Sequence, residues 1–539
     1  MSENKFSAYD QLASIFRIHT ELAHEIDELQ AQKWLPADEP RLDQIIWDIK
    51  VRRRTQYYLL TDANPDMPDL LKEAQSQKSL LPLEQANLRE MKRLYELTVG
   101  ATHINQISEL EDTMRNSEGD WLKTYQHYED ALSQSGDPEN ADNIALACSS
   151  AFEKQKPVLL SIFKLRRDIA CGTADLRGVD ISEVLLDEWN PGATNAQVDA
   201  FMNSAKEQYR YHLKGMKDYL QTINEPAPLP VLDMSEEEYR QSAAALFKDM
   251  RDTILEASGW NQSALEKAGI KKPELDLLPN PFCWGSPQDI RIAIEDGSSI
   301  SEDKRIRLMA GITNAMHEIG GHMTYLLSLN KQDEALRKQP VGQLNGYSTH
   351  EVAAMYFDQL SGRPEFLKFM PELIKKHFGV DWPLEDLHAH MNRPDLEKMG
   401  WGSSELALLP SMAWRIKAER HMLDAPNNKA LKERLNDLPK IWADTMTEWT
   451  GVRPDPKHFM VCETHWFDRQ MGYFYAYVHG TVGAASLHQK YEKDLASNFA
   501  KADGTLKSFL ARHIQKLSTD IYSKASQQRV VTPGTTKPA

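Results

Sequence analysis

The sequence predicts a large, mostly α-helical protein with one small β element, and two observations carry that prediction. Apolar residues recur at helical spacing along most of the 539 residues. In SAYDQLASIFRIHTELAHEIDELQAQ, for example, Leu12, Ile15, His19, Leu22 and Ile26 share a stripe, with acidic residues opposite. Alternation of the strand type is concentrated in DIRIAIED, residues 289–296, which sets Ile290, Ile292 and Ile294 on one face and Arg291 on the other.

The remaining segments fit the same picture. ALFKDMRDTILEAS and ALKERLNDLPKIWADTMTEWTG repeat the helical pattern. Glycine and proline gather between periodic stretches at 224–232, 277–299 and 362–366, and 224–235 is a candidate linker, although no composition shift demands a domain boundary there. There is no internal repeat. The closing QQRVVTPGTTKPA reads as a disordered tail, 526–539 in the division of the chain adopted below.

Composition narrows the function classes. Apolar content of 41% and charged content of 26% suit a globular protein long enough for two or more domains. The formal net charge of −16 argues against sequence-independent nucleic-acid binding, which needs a basic surface. The N-terminus has no basic stretch leading into an apolar core, and no run approaches the length of a membrane span. Cys148, Cys171, Cys283 and Cys462 are scattered, without a CxxC pair, which fits reduced thiols in a cytoplasmic protein.

The chemistry concentrates in NAMHEIGGHMTYLL, residues 314–327. The preceding SEDKRIRLMAGIT opens with Ser301 as a capping residue and early acids, so His317 and His322 fall inside a long amphipathic helix. The zinc-peptidase pattern His-Glu-x-x-His places its ligands four apart, whereas these histidines are five apart. In a regular α-helix, residues five apart diverge by about 140°, too far to share a metal. A π-type bulge at Ile319–Gly321 would return them to one face. Gly320 and Gly321 lower the steric cost of such a backbone, and a purely structural helix has little reason to hold two glycines in its middle. Glu318, next to His317, is the carboxylate a hydrolytic site uses to move a proton from water to a leaving amine. The other reading is a helix that happens to carry two histidines. A zinc site needs a third protein ligand, and Glu351, opening a helix in GYSTHEVAAMYFDQLSGRPEF, is the candidate.

Taken together, four segments around this helix resemble the thermostable carboxypeptidase (carboxypeptidase Taq) family of zinc metallopeptidases. PQDIRIAI (287–294) is similar to its Asp-x-Arg-x-Thr segment, and STHEVAAMYFDQLSGRPEF (348–366) to its His-Glu-Ser-Gln helix. SSELALLPSMAWRIKAE (403–419) is similar to its Asp-Glu … His-x-x-x-Arg-Phe helix. VCETHWFDRQMGYFYAYVHGTVGAASLHQ (461–489) is similar to its Gln-Asp-x-His-Trp segment. LDQIIWDIK (42–50) resembles its N-terminal Trp-Asp turn. The chain is a divergent relative. Its metal motif is His-Glu-x-x-x-His, a spacing also found in dipeptidyl peptidase III enzymes. Ala293 or Ile294 stands for the Thr, Val352 and Ala353 for the Ser and Gln, and Ser411 for a His. Ile416 stands for a Phe, and Cys462-Glu463 for Gln-Asp.

The resemblance implies a zincin-like helical fold with a deep central cleft. Within one continuous fold, residues 1–270 would form one side of it and 271–525 the metal-binding part. His317, His322 and Glu351 would hold Zn²⁺, or another divalent ion such as Co²⁺, with Glu318 as general base. Arg415, and with it Arg291, would bind the free C-terminal carboxylate of a peptide, as planar guanidinium groups do bidentately. His465 and Tyr477 would face the oxyanion. Asp289 would orient Arg291 or a ligand histidine, while Tyr473, Tyr475 and His479 read as packing. The expected activity is cytoplasmic metallocarboxypeptidase action on peptides, with no nucleic-acid or membrane partner and with a homodimer as the family's common state. Two rivals stand beside it: a catalytically silent metal-binding scaffold, and an exopeptidase of other direction, dipeptidyl-peptidase-like.

Overall fold

Helices start and stop where local side chains complete their backbone hydrogen bonds. Ser235 and Glu238 form a reciprocal capping box ahead of Glu236–Ala257. Asn140 accepts from the amides of Asp142 and Asn143 to open Ala141–Arg177, and Gly178, at φ 66°, closes that helix in the left-handed conformation. The computed structural model describes residues 7–33, 35, 39–100, 109, 112–113, 120–135, 137, 140–220, 226–278, 281–297, 301–333, 337–343, 346–392, 408–459, 464–467, 470–499 and 505–519. The protein is mostly α-helical with one small sheet. None of the described helices is long and apolar enough to cross a membrane. The expected tail, 526–539, and Cys462 lie outside the described residues.

Contacts divide the chain into two compact units, each assembled from separated segments. The first comprises Met1–Arg93, Asn224–Arg393 and His479–Ala539, and the second Leu94–Ile223 and Pro394–Val478. These boundaries do not follow a single division near residue 270. One crossing, at 223/224, meets the start of the 224–235 stretch read as a linker.

The first unit contains the sheet. Strand β3, Asp289–Glu295, is the strand the alternation marks, and it lies between two others. It pairs in parallel with β1, Glu274–Leu278, and antiparallel with β2, Phe282–Ser286. The sequence reading missed β1 and β2 because they are five residues long and framed by proline and glycine, which read as loop. Ile290, Ile292 and Ile294 are buried as expected, but Ala293 on the opposite face is fully buried too. A strand covered on both faces cannot show clean alternation of exposure. In the helix Ala8–Lys33 the buried stripe runs through Leu12, Phe16, Thr20 and Ile26 rather than through Ile15 and His19, because the helix packs against both Glu39–Leu60 and β2.

The second unit has its own core. Leu159, Ile162 and Phe163 of the Ala141–Arg177 helix pack with Trp414, Met422, Trp442, Met446 and Trp466. Phe163 and Trp466 meet edge-on with ring centroids 5.2 Å apart, and so do Trp414 and Trp466 at 5.8 Å.

Candidate metal centre

The segment holding both histidines is α-helical from Lys304 to Ala315, π-helical from Met316 to Met323, and α-helical again from Thr324 to Leu329. Its N-cap is Asp303 rather than Ser301. The Asp303 side chain accepts from the Arg305 amide, while Ser301 Oγ accepts from the Asp303 amide at 3.0 Å. The π turn is longer than the three-residue bulge expected from the sequence. It aligns positions five apart, so the His317 and His322 rings meet edge to face with centroids 4.7 Å apart.

The two glycines do more than relax the backbone. A Cβ on Gly321 would sit 2.2 Å from the Ala354 Cα, and one on Gly320 would sit 2.7 Å from the Phe357 ring. Both neighbours belong to the helix Tyr347–Ser361, so the π turn and this helix approach almost backbone to backbone. The small Ala353 and Ala354 serve the same contact. Across the helix, Gly480 and Gly483 of Phe474–Phe499 leave equally little room. A Cβ on Gly480 would fall 2.7 Å from the Glu351 Cβ, and one on Gly483 would fall 2.7 Å from the Val352 side chain.

Glu351 is thereby held from both sides. It lies in the second turn of its helix rather than at its opening, and it is 1% exposed. Its carboxylate oxygens lie 3.5 Å from His322 Nε2 and 3.8 Å from His317 Nε2. Donors placed tetrahedrally around a zinc ion at 2.0–2.2 Å stand roughly 3.4 Å apart. The spacing therefore fits a metal, and the donor set, two imidazoles and one carboxylate, is one that zinc takes. Glu318 is buried in the same pocket, with a ligand atom within 4.8 Å of those of His317 and His322.

The electrostatics also suit a cation. Burial disfavours a charged His317, but a bond to Asp358 and the carboxylates of Glu318, Glu351 and Asp358 outweigh it and raise the imidazole to about 9. Burial, reinforced by Glu351 and Asp358 against the opposing pull of His317, raises Glu318 to about 8. Burial and the neighbouring histidines keep His322 neutral, the form in which imidazole binds a metal. Glu318 and Glu351 are thus buried together, with the half-buried Asp358 at the edge, an acidic setting that a divalent ion suits.

Two members of the pocket escaped the sequence reading. Asp358 lies 3.4 Å from His317 Nδ1, the position from which a carboxylate fixes the tautomer of a ligand histidine. Its signal was available, since it follows Glu351 by seven residues on one helical face. His350 stacks on the His322 ring at 3.9 Å between centroids. Its signal was weak, because consecutive helical residues point about 100° apart and Glu351 already claimed the metal-facing direction.

The other expected residues fall into two groups. In the first unit, Asp289 orients Arg291, accepting from its Nε at 3.1 Å, and Arg291 also bonds Glu274 across the β1–β3 register. Lys271 completes this surface network by donating to Asp289. No ligand histidine takes part, so of the two partners expected for Asp289 the structure selects Arg291. In the second unit, Arg415, His465 and Tyr477 group around Phe474. The Arg415 guanidinium lies 5.7 Å from the Phe474 ring and 4.9 Å from that of Trp414, and His465 is 5.2 Å from Phe474. His465 Nε2 and the Tyr477 hydroxyl are hydrogen-bonded at 3.0 Å. Ser411, standing where the resembling family has a histidine, bonds Arg415 through its hydroxyl and its carbonyl. Tyr473 and Tyr475 pack edge-on against Trp189 and Phe201.

Comparison with known proteins gives a consistent picture. The family model described as carboxypeptidase Taq (M32) metallopeptidase matches residues 61–532. Thermostable carboxypeptidase 1 of Pyrococcus furiosus is 27% identical over 265 residues, which cover 47% of this chain and 50% of that protein. Thermostable carboxypeptidase 1 of Thermus thermophilus is 25% identical over 321 residues, covering 59% and 56%. The chain thus spans about half the length of the curated relatives it matches. Among solved structures, Trypanosoma cruzi metallocarboxypeptidase 1 superposes with a TM-score of 0.71 at 19% identity, over 97% of this chain and 96% of that one. A Pyrococcus furiosus carboxypeptidase superposes with a TM-score of 0.68 at 18% identity, over 98% and 99%. These two likenesses establish the fold.

Proposed function

The chain belongs to the carboxypeptidase Taq (M32) metallopeptidase family, and from that premise we propose that it is a zinc-dependent metallocarboxypeptidase that releases C-terminal residues from peptides. The observation that carries this reading is the Glu351 carboxylate, whose oxygens lie 3.8 Å from His317 Nε2 and 3.5 Å from His322 Nε2, with Glu318 buried beside the two histidines. Zinc, when bound by these three residues, polarises the scissile carbonyl and makes water nucleophilic near neutral pH. Glu318 takes the proton from the attacking water and delivers it to the leaving amine. Asp358 holds His317 in the tautomer whose Nε2 faces Glu351. Arg415, and with it Arg291, which Asp289 and Glu274 hold in place, receives the substrate carboxylate. His465 and Tyr477, a hydrogen-bonded pair, supply the donor for the oxyanion.

Short peptides with free and amidated C-termini test this. The zinc-loaded protein should cleave the free peptide and spare the amide, and Glu318→Gln should keep its zinc while losing about 10²–10⁴-fold in rate. Cleavage indifferent to amidation would favour an exopeptidase of the other direction. Bound zinc without cleavage would favour a silent scaffold.

A further inference from the structure

We propose that Trp284 and Tyr347 form the wall of the subsite for the substrate's C-terminal side chain, so that the chain prefers peptides ending in an aromatic or large apolar residue. The inference rests on the metallocarboxypeptidase reading above and adds a substrate class to it. A run of ring contacts leads outward from the candidate metal ligands. His350 stacks on His322, with 3.9 Å between centroids. Tyr347 meets His350 edge to face at 5.8 Å, and Trp284 of β2 lies nearly parallel to Tyr347, at 5.8 Å and 24°. At the far end, Trp284 stands directly opposite Arg291 in the β2–β3 register, on the same face of the sheet. Arg291 is one of the two arginines proposed for the substrate carboxylate. The carboxylate and side chain of a C-terminal residue spring from one carbon, so a carboxylate on Arg291 brings that side chain within reach of the indole.

The alternative is that both rings only pack. Tyr356 and Phe357, on the same helix as Tyr347, are packed until no surface remains. Trp284 and Tyr347 are half-buried instead and keep surface for a further partner. The indole is also fixed in place, which a binding wall requires. Its N–H bonds the Asp27 carboxylate of the helix Ala8–Lys33, whose charge the neighbouring Arg53 helps to balance. Two residues on, the Ser286 hydroxyl bonds Glu28 of the same helix. Gly285 between them has φ 124° and no room for a Cβ, which would fall 2.1 Å from the Asp289 carbonyl oxygen. The indole has a single polar group, and that N–H is already satisfied, so what it offers a substrate is apolar surface. A wall ordered in advance loses little side-chain freedom when it binds.

Calorimetry on the zinc-loaded Glu318→Gln full chain measures peptide binding without turnover. A peptide ending in phenylalanine should bind about 10–100-fold more tightly than its alanine counterpart. Tyr347→Ala and Trp284→Ala should each shrink that ratio toward one, and Trp284→Phe, which keeps an apolar ring, should retain most of it. A ratio near one before either substitution would overturn the inference. So would tighter binding of a lysine-ended peptide, or an equal gain when the phenylalanine is moved one place inward. Variants that weaken every peptide equally and leave the ratio intact would also overturn it, because that is what a structural role does. These outcomes leave the metallocarboxypeptidase reading standing, whereas a chain that binds none of the peptides would overturn both. The ratio and Tyr347→Ala stand by themselves if Trp284→Ala does not fold.

Discussion

Asp358 shows how much one side chain can decide. It follows Glu351 by two helical turns and meets the far nitrogen of His317. Replacing it by asparagine removes a charge without changing shape. Zinc affinity should then fall by about 10–100-fold in a chelator titration, and an unchanged affinity would show that His317 needs no orienting partner. Another buried residue governs behaviour in acid. His513 bonds the Tyr356 hydroxyl at 2.6 Å, and burial, with the charges of Arg512, Arg363 and Lys516 nearby, lowers it from 6.5 to about 3. The unfolded chain protonates this imidazole near 6.5 and the folded chain does not, so its stabilising contribution is complete above that pH. The contribution is lost as pH falls toward 3, at about 1.4 kcal/mol per unit. In metal-free protein, His513→Gln should flatten the pH dependence of urea unfolding between about pH 6 and about pH 4.5. Parallel slopes for variant and wild type would assign the acid sensitivity elsewhere.

The elements around the metal are fitted by the absence of side chains. The π turn meets the Tyr347–Ser361 helix through Gly320 and Gly321, and the Phe474–Phe499 helix meets its other side through Gly480 and Gly483. Gly321→Ala sets a methyl group against the Ala354 backbone, which cannot rotate away. It should cost about 1–3 kcal/mol or more in thermal unfolding and weaken zinc binding, because Glu351 shifts with its helix. Gly215→Ala, in the helix Asn195–Leu220 with nothing within 4 Å of the new methyl, should be neutral or slightly stabilising. Equal losses in the two would show that the close approach does not explain the first. What the sequence made legible here follows from this. Five-residue spacing in a helical pattern demanded a π turn, and one is present. That the glycines serve a neighbour 33 residues later could not be read locally, because a close approach leaves no trace in the segment that makes it. Strand β3 was legible through Ile290, Ile292 and Ile294, whereas β1 and β2 were not, because buried five-residue strands lack alternation.

At the scale of the whole molecule, the candidate metal donors belong to a single unit although the chain visits two. His317, His322 and Glu351, with Glu318 and Asp358 beside them, all fall within Asn224–Arg393. Zinc at about 100 times its dissociation constant adds about 2.7 kcal/mol to whatever binds it. Hydrogen exchange on the metal-free chain, before and after zinc, should therefore show slowed amides in Met316–Met323 and Tyr347–Ser361, with Ala141–Arg177 unchanged. Slowing of equal size in that last helix would mean that the units unfold together. The sequence offered the candidate ligands within one stretch, 317–351, while the twice-interrupted course of the first unit left no mark in composition.

The glycine contact behind Glu351 has a further consequence during synthesis of the chain. Gly480 is made roughly 130 residues after Glu351, which at about 5–20 residues per second takes on the order of ten seconds. Until then, the helix that presses Glu351 toward the histidines does not exist. A nascent chain therefore carries His317, His322 and Glu351 before the helix that packs behind Glu351 has been made.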